Sequence, residues 1–405
     1  MTRLFAFVGT YGAAPDARGG GIFGFEVSSD GREMTALGHA PEPKDAGYLV
    51  YAPAGKVLYA VDERKTDGRG PVDKPAAVHA LSLDQASGKL TWLNAEIAPG
   101  PRPTFLDYSN RHQLLVSANH GDFQHVEKVV KQADGSWSID YVYDDSTLVA
   151  YPIQSDGRIA PACDVHVFEG QGKDPNFSPQ NGGHAQSNPH AHCSVIDPSG
   201  RYVVVCDKGT DRIHVFALGA KLELVSTLQF EQETGPRHLA FDAVSGLAFA
   251  TLEFSSQLAS LRFDSASGEL TFLDMISTVM PGYDGLNEPA EVRVHPAGKF
   301  VYVNNRGEDS LAWFKADASG KLTRSGGVTL SRSIHPGLAA RSFTFDPTGS
   351  FVLVADRPAD LVRSYAVCRD TGALTWLSQI SVLDPAFIAF AECPADFGGT
   401  TGERA

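Results

Sequence analysis

Residues 295–307 read HPAGKFVYVNNRG, a Pro-x-Gly turn running straight into an apolar strand that ends in polar residues. The same unit stands at 52–63 (APAGKVLYAVDE), 197–209 (DPSGRYVVVCDKG) and 346–358 (DPTGSFVLVADRP). Degraded copies occupy 109–121 (SNRHQLLVSANHG) and 243–254 (AVSGLAFATLEF). Gly200, Gly246, Gly298 and Gly349 mark it at spacings of 46, 52 and 51 residues. A period of this length signals a repeat architecture, in which each unit buries its apolar faces only against its neighbours. From His112 to Gly200 the spacing stretches to 88 residues, so an insertion falls there.

A second unit, a Ser/Asp/Thr-Gly turn before a Leu-Thr strand, centres on Gly31, Gly88, Gly157, Gly219 (displaced by about one residue), Gly268, Gly320 and Gly372. That makes seven tight hairpins, with glycine supplying the positive φ they need. Only six copies of the first unit have a full preceding strand, beginning near Tyr48, Phe105, His192, His238, Val292 and Ser342. The seventh starts abruptly at the N-terminus, in LFAFVGTYG, and the unpaired segment Ser381 to Cys393 can complete it from the other end. Closing a ring this way removes exposed sheet edges. The expected fold is all-β: a seven-bladed β-propeller of four-stranded blades, closed by pairing N- and C-terminal strands. One domain is expected over 1–396, with the insertion at about 121–189 overhanging the channel mouth and a disordered tail at 397–405.

Composition agrees. Gly and Pro together make 64 of 405 residues, about 16% against an average of roughly 12%, which suits many short elements joined by turns. A net charge of −14 argues against a nucleic-acid or anionic-membrane partner, both of which need a basic surface. Five dispersed cysteines without a CxxC point to a reduced compartment. No apolar run is long enough to span a membrane, and MTRLFAFVGTYG reads as a strand and turn rather than a signal peptide. A soluble, cytoplasmic protein is expected.

Function should lie where strand patterns carry unexpected polar residues. The densest stretch is 183–200, GHAQSNPHAHCSVIDPSG, with His184, His190 and His192. His190 and His192 are two apart and share one side of a strand. An acid–base role suits imidazole at neutral pH. Metal ligation lacks further ligands at a recognisable spacing, so no metal and no cofactor are expected; a core role bonding backbone is the plain alternative. Arg237 and His238 stand at the corresponding entry of the next blade, and a guanidinium fork suits a carboxylate or phosphate unless an inter-blade ion pair takes it. Glu253 falls seven residues after its anchor glycine, the register of Asp62, Asp207, Asn305 and Asp356, so a scaffold role competes with a chemical one. Arg306 occupies the next register with Lys208 and Arg357. With Arg237 and Arg341 at inner-strand entries, these bases could form a cationic funnel, or merely neutralise neighbouring acids. Asn119, His120 and Tyr11 fall at the same rim. Cys193 should turn away from His192 into the core, and neither a GxSxG elbow nor a phosphate-binding glycine loop occurs.

PHAH, GPRH, the Glu253 segment, NNRGEDSLAWF and FDPTGSFVLVAD, taken in order, resemble the propeller lactonase family, which includes bacterial 6-phosphogluconolactonases and fungal carboxy-muconate cyclases. The resemblance spans nearly the whole chain. It implies a site of His190, Arg237, Glu253 and Arg306, in which His190 assisted by Glu253 does the acid–base work and the two arginines hold the anion and the developing oxyanion, with His192, His238, Lys208 and Arg341 around the substrate. It also implies a hydrolase of carbohydrate metabolism acting on a small anionic lactone. A muconate-type cyclase or lactone isomerase taking a dicarboxylate, and a non-enzymatic binding platform, are the competing expectations. Oligomeric state is not set.

Overall fold

The computed structural model describes residues 2–12, 18–65, 74–173 and 186–394. The expected tail, and His184, lie outside them. The strands run in chain order β1 (Thr2–Thr10), β2 (Ile22–Val27), β3 (Met34–Ala40), β4 (Leu49–Ala52), β5 (Val57–Val61), β6 (Ala77–Leu83), β7 (Leu90–Ile97), β8 (Pro103–Ser109), β9 (Leu114–Asn119) and β10 (His125–Lys131). Next come β11 (Trp137–Tyr143), β12 (Thr147–Pro152), β13 (Asp164–Val167), β14 (Ala191–Ile196), β15 (Tyr202–Asp207), β16 (Arg212–Ala217), β17 (Glu223–Gln229), β18 (Pro236–Phe241), β19 (Leu247–Leu252) and β20 (Gln257–Asp264). The last ten are β21 (Glu269–Ser277), β22 (Glu288–Val294), β23 (Val301–Arg306), β24 (Ser310–Ala316), β25 (Leu322–Thr329), β26 (Ser342–Phe345), β27 (Phe351–Asp356), β28 (Leu361–Val367), β29 (Leu374–Ser381) and β30 (Pro385–Pro394).

Twenty-eight of these strands make seven antiparallel four-stranded sheets. Blade 1 is β30-β1-β2-β3, blade 2 is β4 to β7, blade 3 is β8-β9-β12-β13, and blades 4 to 7 take β14 to β29 in fours. Closure is as the sequence predicts: β30 is the inner strand of blade 1, pairing Phe5 with Ala391 and Phe7 with Ala389. It packs beside β26 and β4, the inner strands on either side.

The second strand of each blade lies between two neighbouring sheets. β5, β9, β15, β19, β23 and β27 are accordingly buried along their whole length, a continuous apolar run rather than an alternation. Outer strands such as β25 alternate with solvent.

The seven second-unit glycines all sit in the turn between third and fourth strands; six have positive φ and would meet the preceding blade with a Cβ, while Gly219 has neither property. Gly372 has φ +74°, and a Cβ there would meet Phe300 at 2.8 Å and Trp313 at 2.9 Å. The Tyr302 hydroxyl donates to the Gly372 carbonyl at 2.6 Å. Conformation and space both require glycine, so Gly372→Ala is expected to cost about 2–4 kcal/mol of stability, measured by denaturant unfolding.

The inserted chain is shorter than the expected 121–189, because that interval contains β12 and β13, the outer half of blade 3. What is added between β9 and β12 is a free hairpin, β10-β11, which leaves Val126, Val129, Trp137, Ile139 and Tyr141 exposed. A second added segment follows β13 and returns to the mouth at Gln186. Sequence spacing could not separate these pieces, since the hairpin copies the strand length of a blade.

Candidate active site at one mouth of the channel

Loops entering the first strands, and those between second and third strands, gather at one face of the ring. There Glu253, directly after β19 and 3% exposed, is the centre of a buried charge cluster. Its Oε1 accepts from Lys208 Nζ at 2.8 Å. Its Oε2 lies 2.7 Å from Arg237 Nε and 3.3 Å from Arg306 Nη2. Arg306 Nη2 is also 3.1 Å from Glu288 Oε2, and its Nε donates to the Glu288 carbonyl. Cations from blades 4, 5 and 6 thus meet on one carboxylate.

The register explains why. Asp207, at the same position in blade 4, turns onto its own loop: Oδ1 accepts from the His190 amide at 2.7 Å and Oδ2 from the Thr210 hydroxyl at 2.6 Å. Glutamate is one methylene longer, and its carboxylate reaches neighbouring blades instead. The inner strands help by bulging at their entries, between Ala191 and Cys193, Pro236 and Leu239, and Pro289 and Val292. Bulges re-aim side chains, which lets both Arg237 and His238 serve the channel. Cys193 faces the core against Cys206, as the alternation predicts.

His190 is fully buried beside this cluster. Its Nδ1 lies 2.9 Å from the His120 carbonyl, its ring stacks on His120 at 4.4 Å, and Phe123 of the added segment sits edge-on at 4.6 Å. A carbonyl only accepts, so Nδ1 carries the proton and Nε2 keeps its lone pair. Lys208 Nζ lies over the same Phe123 ring at 5.4 Å. Asn188 donates to the Asp144 carbonyl and Gln186 to that of Lys208, so both added segments anchor at the site.

Burial is the largest influence on the imidazoles, Lys208 and Arg237. It pushes His190 down to about 3, and it lowers His192 well below the usual imidazole range. It lowers Lys208, and brings Arg237 to about 9 with help from Arg306. Burial would raise Glu253, but Lys208, Arg306 and Arg237 outweigh it and hold the carboxyl well below its ordinary value. At neutral pH the site therefore combines neutral imidazoles, three cations and an ionised glutamate.

Of the two readings of these bases, funnel or neutralised neighbours, the contacts show each base paired with acids, in two hydrogen-bonded groups. Arg341 donates to the Tyr11 hydroxyl at 2.6 Å and that hydroxyl donates in turn to Glu63 at 2.8 Å, while Arg341 still acts electrostatically on Arg237 and His238. Arg357 covers the Tyr11 ring at 4.6 Å and pairs with Asp384. Glu253 also contacts cations rather than His190. His238 lies deeper, edge-on to Phe105 at 5.3 Å, where Tyr48, Phe105 and Phe387 fill the mid-channel. Beyond them a cavity of about 450 Å³ opens toward the opposite face, past Asp107, Arg293 and Thr344.

Sequence reasoning missed Glu288, Glu291 and Phe123. The pair Glu291 and Arg293, charged at alternate positions of a buried inner strand, was a usable signal; Phe123 had none. Among the described residues, no group of three or more His, Cys, Asp or Glu side chains is placed to hold a metal ion, and no helix is long and apolar enough to cross a membrane.

The family model described as lactonase, 7-bladed beta-propeller, matches residues 5–390. A protein named 6-phosphogluconolactonase from Bacillus subtilis is 26% identical over 96% of this chain and 99% of its own. One of the same name from Pectobacterium carotovorum is 29% identical over 92% and 95%. The solved periplasmic gluconolactonase of Pseudomonas aeruginosa superposes with a TM-score of 0.79 at 25% identity, covering 96% of this chain and all of that one. With the blade count, the ring closure and a match over nearly its whole length, the chain belongs to the lactonase family of seven-bladed β-propellers.

Proposed function

We propose that this protein hydrolyses a sugar-acid lactone at the Glu253 mouth of the channel. One observation carries the proposal: His190 Nε2 and Arg237 Nη1 are buried without a hydrogen-bond partner among the described residues, beside the Arg306 guanidinium on the same carboxylate. Orphaned buried polar atoms cost roughly 1–3 kcal/mol each, more when charged, and their concentration around one carboxylate marks a ligand's place. Guanidinium donors suit the oxyanion that develops when water adds to a lactone carbonyl. His190, oriented by the His120 carbonyl, takes the water's proton and returns it to the ring oxygen as the ring opens. Glu253 holds Lys208, Arg237 and Arg306 in place. Arg341, with Tyr11 and Arg357, lies on the other side of the mouth and suits a distal anionic group.

The names of the relatives support 6-phosphogluconolactone or an unphosphorylated aldonolactone as substrate. Purified protein should hydrolyse one of them above the spontaneous rate, followed by pH-stat. No acceleration with any aldonolactone sinks the proposal, and loss of ultraviolet absorbance from a carboxy-muconate would replace it with ring closure. The five unpaired cysteines fit a reducing cytoplasm; cell fractionation is the direct check, given the periplasmic relative.

A further inference from the structure

Below the mouth the channel holds a second line of buried polar groups. His192 Nδ1 lies 3.1 Å from His238 Nε2, and His238 Nδ1 lies 3.3 Å from Glu291 Oε2. None of the three residues is more than 5% exposed. The second Glu291 oxygen faces Arg293 Nε at 3.3 Å. His238 Nδ1 and Glu291 Oε2 are both buried; their contact is an ion-pair distance rather than an aligned hydrogen bond, and neither atom has a hydrogen-bond partner among the described residues.

The carboxylate fixes the order of protons along this line. It can only accept, so the proton at its contact belongs to His238 Nδ1. In a neutral ring His238 Nε2 is then an acceptor, and the proton between the two rings belongs to His192 Nδ1. That leaves His192 Nε2 with its lone pair. His192 is in edge contact with His120 at 5.3 Å, and His120 stacks on His190, so the line ends beside the proposed base.

We propose that Glu291, His238 and His192 form a proton relay that opens at His192 Nε2 and gives the site a second proton acceptor beside His190. The proposal rests on the lactone-hydrolysis reading. Hydrolysis leaves one proton for such a group to carry away, because at neutral pH a lactone and water yield a hydroxy-carboxylate and one proton. His190 takes a proton from water as the new C–O bond forms, and returns it to the ring oxygen as the old C–O bond breaks. The carboxylic acid so formed gives its proton to His192 Nε2, while His192 Nδ1 passes its own to His238 Nε2. His238 then carries both protons beside the Glu291 carboxylate, and the product is an anion facing Arg237 and Arg306. Return of the two protons along the same line, with release of one to solvent, resets the relay.

The groups around the relay keep it neutral at rest. Burial lowers both rings, His238 to about 4, and Arg237 lowers them further. Lys208 and His120 act in the same direction on His192, while Glu291 acts against them on His238. A relay proton is therefore held briefly and given up readily. Glu291 and His238 are positioning residues in this scheme; only His192 meets the product.

Nitrogen-15 spectra of histidine-labelled protein test the proton order without any substrate. Both rings should be neutral at pH 7 with the proton on Nδ1, and a proton on Nε2 of either ring overturns the relay. Glu291→Gln keeps an accepting oxygen, and with it the tautomers, but removes the charge that supports a protonated His238. Its kcat should fall roughly hundredfold, with KM within about twofold; an unchanged kcat overturns the proposal even with the expected tautomers. Should that variant fail to fold, His192→Gln at the open end of the line should give the same loss of kcat. A native protein inactive on every lactone overturns the hydrolytic reading, whereas the tautomers decide the relay separately.

Discussion

Replacing His190 with glutamine is expected to lower kcat on an aldonolactone by about 10²–10⁴-fold, the usual worth of a positioned general base, with little change in KM. Glutamine fills similar space and can still donate to the His120 carbonyl, so the packing between His120 and Phe123 survives. What it cannot do is accept and return a proton. Anion binding by Arg237 and Arg306 is untouched, which is why the loss should appear in turnover. Because His190 titrates only near about 3, the native enzyme should also show no loss of activity from His190 protonation between pH 5 and 8. A His190→Gln variant within a few-fold of native kcat would remove His190 from the chemistry.

Glu253→Gln should be the most destabilising single change at the mouth. It leaves Lys208, Arg237 and Arg306 facing one another with their shared carboxylate gone, and breaking a buried charge cluster by removing one partner costs about 3–5 kcal/mol. Denaturant unfolding measures the loss. The folded pKa of Glu253 lies below its unfolded value of roughly 4.3. Its contribution is therefore fully present above that value and is lost as pH falls through the folded pKa. The gap between native and variant should be constant from about pH 6 to neutrality, below the range where Lys208 and Arg237 titrate, and narrow in acid. Phosphate or sulfate should stabilise the variant more than the native protein, since an anion can replace the missing charge. Equal stability of the two proteins at neutral pH would show that Glu253 does not hold the cations together.

Blade number, turn positions and ring closure were legible because each arises from a short-range pattern. A Pro-x-Gly turn, a continuous apolar run and a Gly-Leu-Thr hairpin can each be recognised within a dozen residues, and the period then counts the blades. The leftover strand at 381–393 required only that seven fourth-strand turns be matched with six complete first strands. The insertion was placed too broadly because β12 and β13 have degraded sequences and the β10-β11 hairpin resembles a blade's own strands.

The sequence by itself thus determined the architecture, the rim on which the polar residues collect and which of them recur at equivalent registers, Lys208 with Arg306 and Glu253 with Asp207. Only the tertiary structure decided who meets whom. Glu253 is 45 residues from Lys208 and 53 from Arg306 along the chain, and the register that exposes all three to the channel says nothing about which charges touch. The same holds for Glu291, His238 and His192, drawn from three blades. Their proton order follows from contacts of 3.1 and 3.3 Å, and contacts of that length depend on how blades pack around the axis, which no pattern within a single blade encodes.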